Sequence, residues 1–307
     1  MAHAPAAAGA GAGARAGAGA VAEQDMAALK ALAVKHNIRH DYILRVRQVG
    51  NYKVVLLCDD SSSMGLIVAP GPGAPPPDPF AESPATRWTE LRQTCEIVVE
   101  VACTVAGGID VHFLNHRGAL KGVRSKEQLL AGFPHKPDGS TPLARAFNDV
   151  LAANREVPGE KKPLLVLIAT DGEPDGGAQG IAEFRAALAA KPDDCKVQIL
   201  KVSDDDSKTA YLDKLDGDIA GLDVTDDYHT VLDRVKRYRG PETRYLVKCL
   251  VGPFDRAMDG IDEPGGEPLP APVDPRPLPA PVDPDQRLCV VCQDNAKEVM
   301  LQPCSHL

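Results

Sequence analysis

Two carboxylates and three hydroxyls follow directly on an apolar segment near residue 60. Residues 54–58 read Val-Val-Leu-Leu-Cys, and residues 59–63 read Asp-Asp-Ser-Ser-Ser. A short apolar run of this kind predicts a buried β-strand, so the polar side chains would lie where that strand ends. Such oxygens suit two roles, since they cap helices and also bind hard cations such as Mg²⁺.

Two alternating ligand sets are possible within this segment, because every second residue of an extended chain points to the same side. One set begins at Asp59 and continues with Ser61 and Ser63. The other begins at Asp60 and would reach the thioether of Met64, which is a poor ligand for a hard cation. We therefore expect the cation ligands to be those of the first set.

Two further oxygen donors stand where the fold would bring them to the same place. Thr141 precedes a helical pattern that opens at Pro142, and Asp171 follows the apolar run 164–169. In a parallel α/β sheet these segments meet at the edge formed by the carboxyl ends of the strands. Ligands that are all oxygen suit octahedral Mg²⁺ or Mn²⁺, and the predicted set is Asp59, Ser61, Ser63, Thr141 and Asp171.

Each of these segments also has an ordinary structural interpretation. The serines could cap a helix, Ser140 or Thr141 is a suitable N-cap before Pro142, and Asp171-Gly172 is a common turn. For any one segment alone, that interpretation is the stronger. The three segments in this order and spacing favour the metal site, because the specificity of a motif rises with the number of matched parts.

The elements that would position these residues alternate between helices and strands. Apolar periodicity predicts helices over about 25–37, 88–105, 142–151, 178–190 and 228–237. It predicts strands over 54–58, 109–114, 119–123, 164–169 and 197–202, and the most apolar of them, 164–169, should be central. This alternation is typical of a doubly wound, Rossmann-like α/β fold, whose mostly parallel sheet carries helices on both faces.

The three segments together resemble the metal-ion-dependent adhesion site of an intracellular von Willebrand factor A domain. The residues that carry the resemblance are Asp59, Ser61, Ser63, Thr141 and Thr170-Asp171-Gly172. It implies an A domain over residues 50–252 that holds Mg²⁺ with one coordination position open. An acidic side chain of a protein partner would fill that position, so the site would bind and not catalyse. Ser62 departs from the family's common Asp-x-Ser-Gly-Ser pattern, which has glycine there.

The composition of the chain changes on both sides of this domain. Residues 1–22 are a low-complexity Ala/Gly run, which we expect to be disordered. Residues 263–287 are Pro-rich and contain the segment Pro-Leu-Pro-Ala-Pro-Val-Asp-Pro twice. Such a segment favours polyproline II and acts as a semi-rigid linker. A linker implies a further module, for which residues 288–307 are the candidate.

Cysteine and histidine residues crowd that last segment. Cys289 and Cys292 have the spacing of a zinc knuckle, and Cys304 and His306 follow after eleven intervening residues. The segment resembles the first half of a C3HC4-type RING finger, the zinc module of ubiquitin ligases, which uses eight ligands for two Zn²⁺ ions. Three interpretations stay open: a truncated RING of a longer ligase, a single Cys₃His zinc site, and a disordered remnant.

Composition restricts the partners and the compartment. The formal net charge of -9, with no large basic cluster, argues against nucleic acid as a partner. Five of the eight cysteines are isolated, which indicates a reducing compartment and not a disulfide framework. We find no basic signal-peptide region and no apolar segment long enough to span a bilayer. These features predict a cytoplasmic or nuclear protein that is not secreted, and they leave open the alternative that residues 1–20 are an organelle transit peptide.

The two resemblances imply a Mg²⁺-dependent protein-binding module that serves as the substrate arm of a RING-type ubiquitin ligase. A complete RING would recruit a ubiquitin-conjugating enzyme, and the A domain itself would not be catalytic. The alternative is an adaptor or scaffold without ligase activity. A phosphate-ester hydrolase is disfavoured, because neither a P-loop nor a nucleophile–base pair is evident. A phosphoacceptor receiver domain, with Asp59-Asp60 as its acidic pair and Lys201 as its late lysine, is also disfavoured, because the spacing is too long.

Overall fold

The computed structural model describes residues 27–35, 38, 40–68, 86–116, 118–154, 162–202, 206–227 and 241–259. Within these residues, six strands form one sheet in the order β3-β2-β1-β4-β5-β6. The strands are β1 Lys53–Cys58, β2 Ile109–Phe113, β3 Leu120–Val123, β4 Leu164–Thr170, β5 Cys195–Lys201 and β6 Leu222–Thr225. All neighbouring strands are parallel except β2 and β3. The expected α/β class with a mostly parallel sheet is therefore confirmed.

Helices connect and flank these strands. Residues 27–35 form α1, and the other helices are α2 His40–Arg47, α3 Arg87–Ala106, α4 Lys126–Gly132, α5 Leu143–Asn154, α6 Ala178–Ala189, α7 Asp206–Asp213, α8 Pro241–Val251 and α9 Arg256–Asp259. Single 3₁₀ turns cover Gln48–Asn51, Ser62–Gly65 and Gly252–Phe254. None of the helices in the described ranges is long and apolar enough to cross a membrane.

Helix α3 covers its predicted range and one further residue at each end. Thr86 caps its first turn, since the Thr86 hydroxyl accepts a hydrogen bond from the backbone N–H of Thr89. Gly107 ends the helix in the left-handed conformation with φ 76°, which glycine adopts without the steric cost that a Cβ would add. The apolar stripe between these ends, which includes Leu91, Cys95 and Val98, is buried.

The core lies on both faces of the central strands. Val55 and Leu57 of β1 pack in a cluster with Phe147 of α5 and Phe184 of α6. Cys58 alternates with them on β1, and its Sγ lies 3.6 Å from that of Cys95 in α3. Because successive side chains of a strand point to opposite faces, α3 and α5 cover opposite sides of β1.

Strand β4 is the most deeply buried part of the sheet. Its residues 165–169 are each at most 1% exposed, and it lies between β1 and β5. This burial explains why the segment reads as a continuous apolar run, and the prediction that it is central is confirmed.

The sequence patterns missed some elements, and some of the predicted segments lie outside the described residues. The edge strand β6 reads Leu-Asp-Val-Thr, which is too short and too polar to predict as buried, although all four residues are buried. The helices α2, α4, α8 and α9 were not predicted either. The helix expected over 228–237, the Ala/Gly run 1–22, the linker 263–287 and the zinc ligands of 288–307 lie outside the described residues.

Candidate metal centre at the carboxyl edge of the sheet

The two aspartates of the predicted ligand set lie at the point where the sheet changes direction. The chain leaves β1 for β2 on one side, whereas β4 pairs with β1 and leads to β5 on the other side. Cys58 and Ala169 pair at the carboxyl ends of β1 and β4, and the N–H of Asp59 donates to the carbonyl of Ala169 at 2.9 Å. Asp59 and Asp171 therefore follow adjacent strands, at the position where α/β sheets bind ligands.

A chain of hydrogen bonds joins four of the five predicted ligands. The N–H of Ser61 donates to Asp59 Oδ1 at 2.9 Å, and the Ser61 and Ser63 hydroxyls lie 3.0 Å apart. The Ser63 hydroxyl in turn donates to Asp171 Oδ1 at 2.9 Å. Asp59, Ser61 and Asp171 are buried, and Ser63 is half-buried. These oxygens form one continuous polar cluster.

The fifth predicted ligand, Thr141, lies on a loop that is tied to this cluster. The N–H of Thr141 donates to Asp175 Oδ1 at 2.8 Å, and the N–H of Asp175 donates to the Thr141 carbonyl at 3.0 Å. On the other side, the N–H of Asp138 donates to the Asp60 carbonyl at 2.8 Å. The loop is thus held between the segments that follow β1 and β4, and Thr141 is 9% exposed.

Ser62, which departs from the glycine of the adhesion-site pattern, has a structural role. Its hydroxyl donates to the carbonyl of Gly139 and accepts from the N–H of Gly139, both at 3.1 Å. Its own N–H also donates to the Gly139 carbonyl at 3.1 Å. Ser62 therefore fastens the segment after β1 to the loop that carries Thr141.

Asp60 is held away from the cluster by the segment that follows β2. Its two carboxylate oxygens accept from the backbone N–H groups of Asn115 at 2.8 Å and of His116 at 2.9 Å. A carboxylate bonded in this way orients a loop, and each of its oxygens already accepts from a protein donor. This arrangement agrees with the ligand set that begins at Asp59.

Burial dominates the electrostatics of Asp59. It raises the pKa of this carboxyl from 3.8 to about 6, hydrogen bonds from Ser61 and Thr170 oppose the shift, and the negative charge of Asp171 adds to it. The Thr170 hydroxyl donates to Asp59 Oδ2 at 2.6 Å. None of the contacts described for Asp59 involves a cationic side chain. Among the described residues, the carboxylate therefore has no ion-pair partner of the kind that a buried anion needs.

Asp171, in contrast, has a cationic partner that the sequence did not suggest. Arg87 Nη1 donates to Asp171 Oδ2 at 2.8 Å, and both side chains are largely buried, with 9% and 1% of their surface exposed. Arg87 is the first residue of α3 and is 84 positions away in the sequence. No motif connects the two residues, so the pair was not predictable from spacing.

The donor set fits a hard divalent cation. Two carboxylates and three hydroxyls supply only oxygen, which Mg²⁺ and Mn²⁺ prefer, and a cation would supply the missing counter-charge of Asp59. Within the described ranges there is no group of three or more His, Cys, Asp and Glu side chains that could hold a metal. The candidate centre is not a group of that kind, because three of its five donors are hydroxyls and only two are carboxylates.

Lys201 lies at the same edge of the sheet but forms ion pairs with two other carboxylates. Its Nζ binds the carboxylates of Asp213 and, at 2.7 Å, of Asp226. The ammonium is thus neutralised by α7 and by the segment after β6. The described ion pairs of Lys201 therefore involve neither Asp59 nor Asp60, and give no support to a receiver domain.

Comparison with known proteins leaves the family open. No protein-family model and no curated protein matches the chain. Among solved structures, the chain is similar to proximal thread matrix protein 1 from the mussel byssus, with a TM-score of 0.39 and 15% identity. The match covers 66% of this chain and 47% of the byssal protein, so the chain spans about half the length of that protein. A likeness at this level carries no argument about function.

Proposed function

We propose that the protein is a Mg²⁺-dependent protein-binding module of the von Willebrand factor A type, whose ligands are Asp59, Ser61, Ser63, Thr141 and Asp171. The observation that carries the proposal is the hydrogen-bonded oxygen cluster at the carboxyl edge of β1 and β4, which contains the buried Asp59 without a counter-charge. Mn²⁺ would suit the same ligands.

In this proposal each residue has a definite role. Asp59 and Asp171 provide the negative charge that holds the cation, and the hydroxyls of Ser61, Ser63 and Thr141 orient it without adding charge. Two carboxylates, one of which already has Arg87 as its counter-ion, leave the cation with excess positive charge. Bound there, the cation offers an electrophilic position for one carboxylate oxygen of a protein partner.

The larger function that we propose is substrate recognition for a RING-type ubiquitin ligase. In this division of labour, the A domain selects the partner and residues 263–287 act as a linker. Cys289, Cys292, Cys304 and His306 would bind Zn²⁺ as part of a RING that recruits a ubiquitin-conjugating enzyme in the cytoplasm or nucleus. The competing function is that of a non-catalytic adaptor. An autoubiquitination assay on the full-length gene product, with and without a zinc chelator, separates the two.

The metal site is tested by isothermal titration of the purified chain with Mg²⁺. We expect saturable binding to the wild type and none to Asp171→Ala. The matched control is Asp218→Ala, which removes an exposed carboxylate that pairs with Arg185; we expect it to bind Mg²⁺ like the wild type. If Asp171→Ala and the wild type bind Mg²⁺ equally, or if neither binds it, the proposed function is wrong.

A further inference from the structure

Arg87 contacts the candidate metal centre from a helix that contributes none of its ligands. Its guanidinium donates to Oδ2 of Asp171 at 2.8 Å. The other oxygen of Asp171, Oδ1, accepts from the hydroxyl of Ser63 at 2.9 Å. Arg87 therefore occupies one carboxylate oxygen and leaves the other to the cluster.

Arg87 is also fixed in place by the local structure. Its backbone N–H donates to the Leu66 carbonyl at 3.0 Å, so the start of α3 is tied to the segment that follows the serines. The side chain is mostly buried, and a guanidinium keeps its positive charge throughout the range in which proteins are folded. Its charge is thus a permanent property of the centre.

Counted over the five ligands and Arg87 alone, the centre has an unusual balance of charge. Two carboxylates and one guanidinium sum to a single negative charge, and the three hydroxyls are neutral. Lys208 approaches Gly172 nearby, but its exposed side chain carries a charge that water and salt screen. Without Arg87, the two carboxylates would neutralise a divalent cation completely.

We propose that Arg87 determines the specificity of the centre by keeping it one negative charge short of a divalent cation. The loaded centre then carries one net positive charge and selects a carboxylate from the partner. The same charge lowers the affinity of the centre for the cation. This inference rests on the proposed function, because it assumes that a divalent cation binds to this ligand set.

Opposite effects on cation and anion distinguish this role from a purely structural one. A residue that only orients Asp171 would, when replaced, weaken both the binding of the cation and that of the carboxylate. If Arg87 acts as a counter-charge, its removal should strengthen the binding of the cation and weaken the binding of the carboxylate. A charge within a few ångströms changes the proton affinity of a carboxylate by about ten- to a thousandfold, so a change of about tenfold is the minimum expected for a divalent cation.

The test compares two variants of the full chain that differ in charge at position 87. Arg87→Gln is neutral and keeps a hydrogen-bond donor for Asp171, whereas Arg87→Lys keeps the charge. The affinity for Mg²⁺ is measured by isothermal titration. The affinity of the Mn²⁺-loaded protein for acetate is measured from the paramagnetic relaxation of the acetate methyl protons, and circular dichroism in EDTA checks that each variant is folded.

We expect Arg87→Gln to bind Mg²⁺ at least about tenfold more tightly than the wild type and to bind acetate several-fold more weakly. Arg87→Lys should stay within about threefold of the wild type in both measurements, because an ammonium keeps the charge. The lost guanidinium geometry accounts for the remaining difference. If Arg87→Gln needs Mg²⁺ to fold, the affinity of the Mn²⁺-loaded variant for acetate decides: a weaker affinity than that of the wild type supports the inference, and an equal one overturns it.

Two further results would overturn the inference. One is an Arg87→Gln variant that is folded in EDTA and binds Mg²⁺ no more tightly than the wild type. The other is an Arg87→Lys variant whose affinity for Mg²⁺ changes as much as that of Arg87→Gln, which would show that geometry and not charge matters. In both cases the wild type still binds Mg²⁺, so the proposed function stands. A wild type that binds no Mg²⁺ would instead contradict the proposed function itself.

Discussion

Replacing Asp59 by Asn should have opposite effects on stability with and without Mg²⁺. Asp59 is fully buried, and burial raises its pKa to about 6. Above that pH the folded protein without a cation must hold an uncompensated anion, which the substitution removes. With Mg²⁺ the same substitution removes the ligand that most needs the cation. We therefore expect Asp59→Asn to be more stable than the wild type in EDTA and less stable in saturating Mg²⁺.

The magnitude follows from the pKa. A rise from 3.8 to about 6 corresponds to a cost of about 3 kcal/mol for ionised Asp59 at pH 7, at about 1.4 kcal/mol per unit. The folded state binds the proton of Asp59 more tightly than the unfolded state does. The contribution of Asp59 to the free energy of unfolding is therefore fully present below about pH 4 and is lost as the pH rises towards about 6. Thr170 can reverse its hydroxyl and accept from the amide, so the substitution loses hydrogen bonding of only about 1 kcal/mol. The net gain in EDTA at pH 7 should be about 2 kcal/mol.

The free energy of unfolding is measured by urea denaturation in EDTA and in Mg²⁺ at one hundred times its dissociation constant, from pH 4 to 8. Saturation at that level should stabilise the wild type by about 2.7 kcal/mol and Asp59→Asn not at all. The matched control is Asp60→Asn, the same chemical change one position away. Asp60 accepts from backbone N–H groups, which cannot reverse, so this variant should lose about 1–3 kcal/mol in both buffers and keep the effect of Mg²⁺.

A clear set of results would refute this reasoning. If Asp59→Asn is no more stable than the wild type in EDTA at pH 7, burial does not hold Asp59 as a costly anion. If Mg²⁺ stabilises Asp59→Asn as much as the wild type, Asp59 is not a ligand. An advantage of Asp59→Asn that is the same at pH 4 and at pH 8 would show that the effect does not come from ionisation.

Two further predictions concern the loop that carries Thr141 and the core beneath the site. Gly139 has φ 110°, and a Cβ there would lie 2.6 Å from the side chain of Asn115, so Gly139→Ala should weaken Mg²⁺ binding severalfold in isothermal titration. Gly118→Ala, at the same φ but with nothing within 4 Å, controls for backbone strain and should leave Mg²⁺ binding unchanged. Leu167→Ala opens a cavity in the fully buried centre of β4 and should cost about 2–5 kcal/mol in urea denaturation. The stabilisation by Mg²⁺ should stay the same in that variant, and its loss would show that the site depends on the core more than we propose.

Much of the fold could be predicted because its central elements are locally encoded. The run 164–169 is apolar throughout because both faces of β4 are covered, and the stripe along 88–105 follows one face of α3. The edge strand β6 could not be predicted in this way. Its Asp223 is fully buried because Lys248 of α8 donates to it at 2.8 Å, and a polar residue that is paired by a distant helix gives no local signal of burial.

For the site, the sequence by itself determined the chemistry of the donors and their order along the chain. Residue types and spacing are local properties, so Asp59, Ser61, Ser63, Thr141 and Asp171 could be selected as candidate ligands of a hard cation before any fold was known. Their common position also follows from the sequence, because the carboxyl ends of parallel strands lie at one edge.

Only the tertiary structure decided how these donors are charged and held. It assigned Asp60 to the backbone of the segment after β2, gave Ser62 a bond to the loop of Thr141, and placed Arg87 against Asp171. Each of these contacts joins residues that are more than fifty positions apart. The free energy of such a contact depends on burial and on the neighbouring charges, and neither is set until the chain has folded.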